Sequence, residues 1–281
     1  MSYLAGITQG VSTSGLRIVV AAQEKMGKTT ICAGAPDALL VPLEVGFAGV
    51  SVAKTPMLQT FAHVQAFLAE VFAAVQAGAF PYKTIAFDSA TALERMLHEY
   101  IIATDAAVVA SGGKKTVSME AAHGGYGKAY DLANRKFSKV LSWFDILAVQ
   151  YGINILMTCH VFSSKVIDPT AGEFDSWDLL LHSPKNSKTY GKREILTQWA
   201  DIVAFMYEPL FVSESGRVSK GVSQNKGHVL GCARTPSYTA GNRFGITQEI
   251  NLPAPPNNSW NALAHAVYSV SGIDVFNRVC P

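Results

Sequence analysis

Residues 19–30 place a glycine, a lysine and two threonines next to one another. The segment reads VVAAQEKMGKTT. The ammonium group of Lys28 could neutralise the β- and γ-phosphates of a nucleotide, and the hydroxyl of Thr29 could bind Mg²⁺. Glycine lets the backbone N–H groups of such a loop curl around phosphate oxygens. The pattern therefore predicts a phosphate-binding loop made of Gln23, Glu24, Lys25, Met26, Gly27, Lys28, Thr29 and Thr30.

One position departs from the usual phosphate-loop pattern. The pattern G-x-x-x-x-G-K-[ST] begins with glycine, and this chain has Ala22 there. That glycine mainly eases the exit of the chain from the preceding strand, and alanine is the smallest side chain that can replace it. The apolar run before the loop and the helix expected after it favour a phosphate site, while a chance Gly-Lys-Thr is the alternative. Gln23 occupies the place of the extra signature lysine of partition ATPases, so Lys25 is predicted to be solvated.

A carboxylate at the end of another apolar run could complete a metal site. Residues 84–87 are mostly apolar and lead into Asp88 and Ser89. An acid at the carboxyl end of a core strand is where Mg²⁺ can be held through water. We therefore predict Thr29 and Asp88 as the Mg²⁺-binding pair. The alternative is that Asp88 only caps the helix that follows.

The identity of the base follows from a missing motif. Guanine-specific enzymes that use such a phosphate loop read the base with Asn-Lys-x-Asp. Residues 225–228 read NKGH, so His228 stands where that acid should be. We therefore expect ATP rather than GTP.

Strands and helices in a fixed order are needed to bring these residues together. Short apolar runs predict buried strands at residues 16–22, 37–43, 83–89 and 153–159. Helical periodicity predicts helices from the Gly-Lys-Thr-Thr run to about Ala35 and at residues 61–78, 90–103 and 128–150. This alternation predicts an α/β fold with a mostly parallel central sheet covered by helices on both faces. Residues 200–220 read as strand, turn and strand, which predicts an antiparallel hairpin extension toward the C-terminus.

Two segments lack periodicity. Residues 110–127 are glycine-rich and are predicted to form a mobile loop. Residues 161–192 are predicted to be a long irregular segment, acidic in its first half and basic in its second. Residues 253–258 read as a linker, followed by a short helix from Ser259 to about Ser271. We therefore predict a core of residues 1–252 and an appendage of residues 253–281.

Bulk properties narrow the class of protein. Among 281 residues, 49% are hydrophobic and 16% are charged, which is ample apolar material for one large core. A net charge of +2 gives no general attraction to nucleic acid, so such binding would need local clusters. The four cysteines form no Cys-x-x-Cys pair, which argues against structural zinc. The start does not read as a secretion signal and no apolar stretch is long enough to span a bilayer, so we expect a soluble, cytoplasmic protein without membrane contact.

With these residues in place, the chain resembles a RecA-type P-loop ATPase. More narrowly, it resembles the short phage-encoded RecA-like proteins that act as ATP-dependent single-strand annealing proteins or recombinases. The resemblance covers residues 16–255 and is carried by MGKTT (26–30), LEVGFAG (43–49), YKTIAFDSATALE (82–94), GGYGKAY (124–130), ILMTCH (155–160), WADIVAFM (199–206) and NRFGI (242–246). It implies a RecA-like core in residues 1–252 that binds ATP and Mg²⁺ and hydrolyses the ATP.

The resemblance implies roles for three further residues. Glu44 takes the place of the catalytic glutamate that orients the attacking water, although Pro42 stands where the family often has Asp; the alternative is a solvated loop acid. His160 takes the place of the polar sensor of the γ-phosphate, or is a capped, buried histidine. Arg243 takes the place of a cation that reaches the ATP of the neighbouring subunit, while Gly241 replaces a lysine that often precedes it. The implied catalytic set is Lys28, Glu44, Asp88, His160 and Arg243.

Both irregular segments match RecA-like DNA-binding loops in position. Residues 110–127 follow the helix after Asp88, and residues 161–192 begin directly after His160. Lysines on such backbone can follow the phosphates of a strand without reading its sequence, and Tyr126 could stack on a base. The implied DNA contacts are Lys114, Lys115, Tyr126, Lys185 and Lys188. The alternatives are that both loops are ordinary solvated loops and that Tyr126 anchors packing.

The resemblance implies a DNA-dependent ATPase of recombination. Such a protein assembles head to tail into a homo-oligomer, binds single-stranded DNA with ATP, and acts in homologous recombination or strand annealing. A ring-forming helicase or translocase on the same core is one alternative, which unwinding of a forked duplex would favour. A nucleotide-gated scaffold with little turnover is another, and Pro42 and Gly241 give it some support.

Overall fold

The computed structural model describes residues 14–170, 172–184, 190–215, 218–223, 227–253, 259–272 and 274. Its strands are β1 (Arg17–Ala22), β2 (Ala38–Pro42), β3 (Ala53–Lys54), β4 (Thr84–Asp88), β5 (Asn154–Cys159), β6 (Val161–Asp168), β7 (Gly172–Leu179), β8 (Ile202–Tyr207), β9 (Leu210–Ser215), β10 (Val218–Ser223), β11 (Val229–Gly231), β12 (Gly241–Asn242) and β13 (Ile250–Asn251). Its helices are α1 (Lys28–Ala33), α2 (Phe61–Gln76), α3 (Ala90–Ala103), α4 (Ala106–Ala110), α5 (Lys128–Tyr151), α6 (Lys192–Trp199) and α7 (Ser259–Ser271).

Parallel strands bring the ends of several elements to one edge of the central sheet. Among the described residues, this sheet runs β13-β11-β8-β1-β5-β4-β2-β3, and β12 also pairs with β8. The pairs from β8 to β3 are parallel, whereas β11, β12 and β13 are antiparallel. Strands β9 and β10 form a separate antiparallel hairpin. The carboxyl ends of β1, β2, β4 and β5 therefore lie side by side, where α/β proteins bind their ligands.

Helices cover both faces of this sheet. On one face, α2, α3, α5 and α6 pack against strand residues such as Val19 and Phe87. On the other face, α1 and α7 pack against the alternate residues Ile18 and Val20. Strands buried on both sides need apolar residues at successive positions, which is why β1 reads as a continuous apolar run. The predicted fold class, a mostly parallel α/β sheet with an antiparallel extension, is confirmed.

Helix α7 packs into the core beneath the first strand. It has the bounds that its periodicity predicts, and Trp260, Leu263 and Val267 are fully buried. Their neighbours include Ile31 of α1 and Leu230 of β11. The division of the chain after residue 252 stays a prediction.

Loss of the Trp260 side chain tests how far α7 supports the core. We expect Trp260→Ala to lower the free energy of unfolding by about 3–5 kcal/mol, because it opens a cavity in a fully packed site. Urea unfolding followed by circular dichroism measures this change. Tyr268→Ala on the same helix is the control, since that side chain is 43% exposed. Equal stability of the two variants would contradict the packing role.

The prediction that residues 161–192 are irregular is wrong for most of the segment. Strands β6 and β7 form an antiparallel hairpin of eight residue pairs. Few of its side chains are buried, so the alternation that signals a half-buried strand is missing from the sequence. The two strands are joined instead by charge pairs across the hairpin, such as Lys165 Nζ to Glu173 Oε1 at 2.6 Å. Helix α6 begins at Lys192, and residues 185–189 lie outside the described residues.

The glycine-rich segment 110–127 has no strand and only one 3₁₀ turn, Ala122–Gly124. Its second half is held against the core. The backbone N–H of His123 donates to Asp105 Oδ2 at 2.6 Å, and Met119 and Ala122 are buried. The first half, which carries the exposed Lys114 and Lys115, has no helix or strand beyond Ala110, and its predicted mobility stays a prediction.

Three observations concern membrane spans, cysteines and metal sites. In the described ranges, no helix is long and apolar enough to cross a bilayer. Cys32, Cys159 and Cys232 are buried free thiols, and burial raises the pKa of the Cys232 thiol to about 12. The described part of the chain holds no group of three or more His, Cys, Asp or Glu side chains with metal-site geometry.

Candidate nucleotide-binding site

The phosphate loop tolerates Ala22 because its methyl group points away from the cleft. Ala22 is the last residue of β1, where it pairs with Met206 of β8. Its side chain is fully buried in the same apolar cluster as Ile18 and Val20. Gly27 is the N-cap of α1 and has a φ of 90°, a left-handed conformation that strains other residues. The glycine that the loop needs for its backbone is therefore Gly27, not residue 22.

Lys28 folds back over its own loop. Its Nζ atom donates to the carbonyl oxygens of Ala22 at 2.9 Å and of Gln23 at 2.7 Å. The side chain is buried, and this burial lowers the pKa of Lys28 while the nearby Asp88 carboxylate opposes the shift. An ammonium group in this position can exchange carbonyl partners for phosphate oxygens over a short distance.

Asp88 forms a cluster with two hydroxyl groups. Thr29 Oγ1 donates to Asp88 Oδ2 at 2.7 Å, and Thr158 Oγ1 donates to Asp88 Oδ1. The cap of α3 is Ser89, whose side chain accepts from the backbone N–H of Ala92. The alternative that Asp88 serves only as a helix cap is therefore wrong. Thr29 and Asp88 together present the hard oxygen ligands that Mg²⁺ prefers.

Glu44 is held by several donors rather than solvated. His160 Nε2 lies 2.7 Å from Glu44 Oε1, and an Arg95 guanidinium nitrogen lies 2.8 Å from Glu44 Oε2. Burial alone would raise the pKa of Glu44, but hydrogen bonds from His160 and Ser89, with the charge of Arg95, outweigh it and lower the pKa to about 2. The carboxylate is therefore charged at neutral pH.

These groups surround one cleft of about 460 Å³ at the carboxyl edge of the sheet. The cleft is lined by Glu24, Lys25, Gly27, Lys28, Thr29, Thr30, Glu44, Val45, Gly46, Val50, Asp88 and His160. Of the predicted loop residues, Gln23 and Met26 do not belong to this lining. Each polar group lies at or just after the end of β1, β2, β4 or β5, so the sheet itself positions the site.

A second cleft of about 300 Å³ adjoins the first. It is lined by Lys25, Met26, Gly27, Thr30, Ile31, Met206, Gly227, His228, Leu252, Pro253 and Ser259. Lys25, Gly27 and Thr30 line both clefts, so the phosphate loop forms the wall between them. The lining of the second cleft is largely apolar, as a base-binding slot requires.

Arg243 lies near the amino end of β8, whereas the cleft lies at the carboxyl ends of the parallel strands. Its backbone N–H donates to Asp201 O just before β8, and its guanidinium pairs with Asp201 Oδ1 at 2.6 Å. Strand β8 runs parallel to β1, so this point is about 15–20 Å from the phosphate loop. Arg243 therefore cannot reach the cleft of its own chain, and a role at a neighbouring subunit stays a prediction.

Three of the residues predicted to contact DNA are described, and all three are exposed: Lys114, Lys115 and Tyr126. The Tyr126 side chain is 100% exposed, so it does not anchor packing. Lys185 and Lys188 lie outside the described residues. Contact with DNA stays a prediction for all five.

Several residues of the site were not predicted from the sequence, among them the polar residues Thr158 and Arg95. Thr158 could have been found, because it stands two residues before His160 on a strand and so faces the same side. Arg95 stands four residues after Thr91 on α3, and the Thr91 hydroxyl accepts from the backbone N–H of His160 at 3.2 Å. Nothing in the local pattern around Arg95 marks it as a partner of Glu44, because the two are 51 residues apart.

A phosphate loop between a buried strand and a helix, with an acid on a parallel strand beside it, defines a P-loop NTPase core. The family model described as AAA domain matches residues 14–244. Because this match spans more than half of the chain, the protein belongs to the AAA domain family. Membership points to nucleotide binding and ATPase activity. No curated protein is similar enough to this chain to count as a relative.

Proposed function

We propose that this protein is a Mg²⁺-dependent ATPase whose ATP-bound form holds single-stranded DNA, in recombination or strand annealing. The observation that carries the ATPase part is the convergence of Lys28, the Thr29–Asp88 pair, Glu44 and His160 on one cleft. The resemblance to phage RecA-like proteins supports the DNA part. The AAA domain match supports the nucleotide but says nothing of DNA.

The chain's own residues suggest how hydrolysis proceeds. Lys28 and the backbone of residues 24–28 bind the phosphates, and Thr29 and Asp88 would hold Mg²⁺, which would neutralise phosphate charge when bound. Glu44 accepts a hydrogen bond from water and orients it for attack on the γ-phosphorus. The bond between that phosphorus and the bridging oxygen breaks, ADP carries away the electron pair, and the proton from water passes through Glu44 to phosphate. We place the adenine base in the second cleft, beyond the wall that the phosphate loop forms between the two clefts.

His160 supports a connection between the nucleotide and the β6–β7 hairpin. Its ring contacts Glu44 in the cleft, while its carbonyl oxygen accepts from the Leu180 N–H at 2.8 Å, just after β7. Strand β6 begins at the next residue, Val161. A change at the γ-phosphate that moves His160 would shift both ends of the hairpin. This segment is the one that the resemblance assigns to DNA.

The position of Arg243 supports head-to-tail assembly. Arg243 is 52% exposed at one edge of the sheet, and the cleft opens at the other edge. Stacking one chain on the next brings these two edges together. Hydrolysis that depends on such a cation would depend on assembly.

A scaffold with slow turnover is a second candidate. The observation that favours it is the engagement of both Glu44 oxygens, by His160 and by Arg95. Tight binding of ATP without phosphate release, with or without DNA, would select this candidate.

Removal of two loop lysines tests the DNA part. We expect Lys114→Ala/Lys115→Ala to weaken binding of an oligo-dT strand in the presence of an ATP analogue. The slope of log affinity against log salt should fall by about 1.4, since each phosphate contact contributes about 0.7. Fluorescence anisotropy at several salt concentrations measures the slope. The matched control is Lys83→Ala/Lys139→Ala, which removes two exposed lysines elsewhere. No strand binding by the wild type, or equal slopes for both variants, would count against the proposal.

A further inference from the structure

A cleft of about 690 Å³ lies between the β6–β7 hairpin, helix α6 and residues 234–240. It is larger than the cleft of about 460 Å³ at the phosphate loop and shares no lining residue with it. Two of its walls are tied together through Trp177 of β7. The Trp177 N–H donates to Ser237 O at 2.8 Å, and the Trp177 carbonyl oxygen accepts from the Thr239 N–H at 2.9 Å. The cleft is therefore framed by backbone hydrogen bonds, and its volume is that of a small-molecule site.

The hairpin gives this cleft an apolar wall with an aromatic ring. Val166 of β6 and Phe174 of β7 stand opposite each other in the hairpin, and both line the cleft. Phe174 is half-buried, and its ring stacks on no other ring of the described residues. Tyr238 in the same cleft differs, because it is stacked on Phe205 with ring centroids 4.7 Å apart. Phe174 therefore offers the kind of ring surface on which a nucleobase stacks.

Residues 234 and 235 give the same cleft a cation and a hydroxyl group. Arg234 is exposed and pairs with no carboxylate of the described residues. Four other arginines do form such pairs, namely Arg17, Arg95, Arg193 and Arg243. Thr235 Oγ1 is buried and has no hydrogen bond of normal geometry within the described chain. An unpaired guanidinium next to such a hydroxyl group suits a phosphate, which accepts from both.

The place of the cleft favours a nucleotide that belongs to a strand. Its apolar wall is the hairpin that begins at Val161, the segment that the resemblance assigns to DNA. Val166 is 37% exposed and Arg234 is exposed, so the cleft can be entered from solvent. A strand can therefore place one base inside while its neighbouring phosphates stay outside.

We propose that this cleft holds one nucleotide unit of the bound single strand, with its base on Phe174 and its phosphate on Arg234. The inference rests on the DNA part of the proposed function and adds a contact outside the lysine-bearing segments. Stacking on a ring and pairing of a guanidinium with phosphate use groups that every nucleotide has, so the cleft takes any base.

Two variants with different signatures test the two halves of this contact. We expect Phe174→Ala to weaken binding of an oligo-dT strand about 5- to 100-fold, as loss of one stacked base does, with the salt slope unchanged. We expect Arg234→Gln to lower the slope of log affinity against log salt by about 0.7, because one phosphate contact is lost. Fluorescence anisotropy with Mg²⁺ and an ATP analogue measures both, and circular dichroism checks that each variant is folded. The matched controls are Phe72→Ala, at a half-buried ring of α2, and Arg135→Gln, at an exposed arginine of α5.

Photo-crosslinking of the wild type locates the base without any substitution. An oligo-dT strand that carries 5-iododeoxyuridine is bound in the presence of Mg²⁺ and an ATP analogue and irradiated, and mass spectrometry identifies the crosslinked residues. We expect Phe174 among them. A bound strand that gives no crosslink at Phe174 would overturn the proposal. Equal affinity of the wild type for thymidine monophosphate and for oligo-dT would also overturn it, because the cleft would then take a free nucleotide.

The same measurements separate failure of the proposal from failure of the proposed function. A wild type that binds the strand, with both variants at wild-type affinity and slope, would overturn the assignment of the cleft and leave DNA binding standing. A wild type that binds no strand with the ATP analogue would remove the DNA part of the proposed function, and the assignment of the cleft would fail with it.

Discussion

Replacement of Lys28 by alanine should abolish measurable ATP hydrolysis. We expect kcat/KM to fall about 100- to 1000-fold or more, because a preorganised cation aimed at the transferring phosphate is lost. Lys28 Nζ lies on the loop carbonyls of Ala22 and Gln23, one short movement from the position that phosphate oxygens would take. Phosphate release with saturating Mg²⁺ measures the rate, and titration with a labelled ATP analogue measures the binding that is lost with it.

A control variant that also loses one lysine distinguishes the loss of the phosphate contact from a general effect of the charge change. Lys139→Ala removes an exposed lysine on α5 and should hydrolyse ATP as the wild type does. Both variants should unfold near the wild-type temperature, since Lys28 donates only to carbonyl groups of its own loop. Hydrolysis by Lys28→Ala within a factor of two of the wild type would show that another site carries the activity.

Replacement of Glu44 by glutamine should stop turnover while it leaves nucleotide binding in place. We expect kcat to fall about 100- to 10,000-fold, the usual contribution of a positioned general base. The pKa of Glu44 is lowered to about 2, so the wild-type group is a carboxylate at every pH at which the protein would be assayed. Glutamine fills the same space but cannot take a proton from water. Burst and steady-state kinetics separate chemistry from product release.

The binding constant is the informative control for Glu44→Gln. Affinity for Mg²⁺ and an ATP analogue should stay within about threefold of the wild type, because Glu44 lies beside the Lys28 and Thr29–Asp88 groups rather than among them. Glu70→Gln, an exposed acid on α2, should leave both kcat and affinity unchanged. Retained turnover in Glu44→Gln would remove Glu44 from the chemistry and would favour another residue as the base.

The sequence predicts the central sheet well because its strands are buried on both faces. Such strands must be apolar throughout, so β1, β2, β4 and β5 stand out from the helices that separate them. Their order then places Lys28, Glu44, Asp88 and His160 at one edge, since parallel strands end together. This is why Lys28 and Asp88 could be predicted from the pattern of the sequence, whereas the roles of Glu44 and His160 came from the resemblance to RecA-like proteins.

The hairpin and the partners of Glu44 could not be predicted in the same way. Strands β6 and β7 bury few side chains, so they carry no apolar alternation, and a cross-strand pair such as Lys165–Glu173 reads locally as a charged loop. Arg95 meets Glu44 only because α3 returns across the edge of the sheet after β4. Contacts between distant segments depend on packing geometry that local periodicity does not contain.

A crystal structure with Mg²⁺ and a non-hydrolysable ATP analogue tests whether the loop at Gln23–Thr30 binds a nucleotide. We expect a triphosphate in the cleft of residues 24–30, with Lys28 Nζ moved from the Ala22 and Gln23 carbonyls to phosphate oxygens. Thr29 and Asp88 should then lie around the metal. A cleft without nucleotide at saturating concentration, with Lys28 still on those two carbonyl groups, would show that this loop is not a nucleotide site.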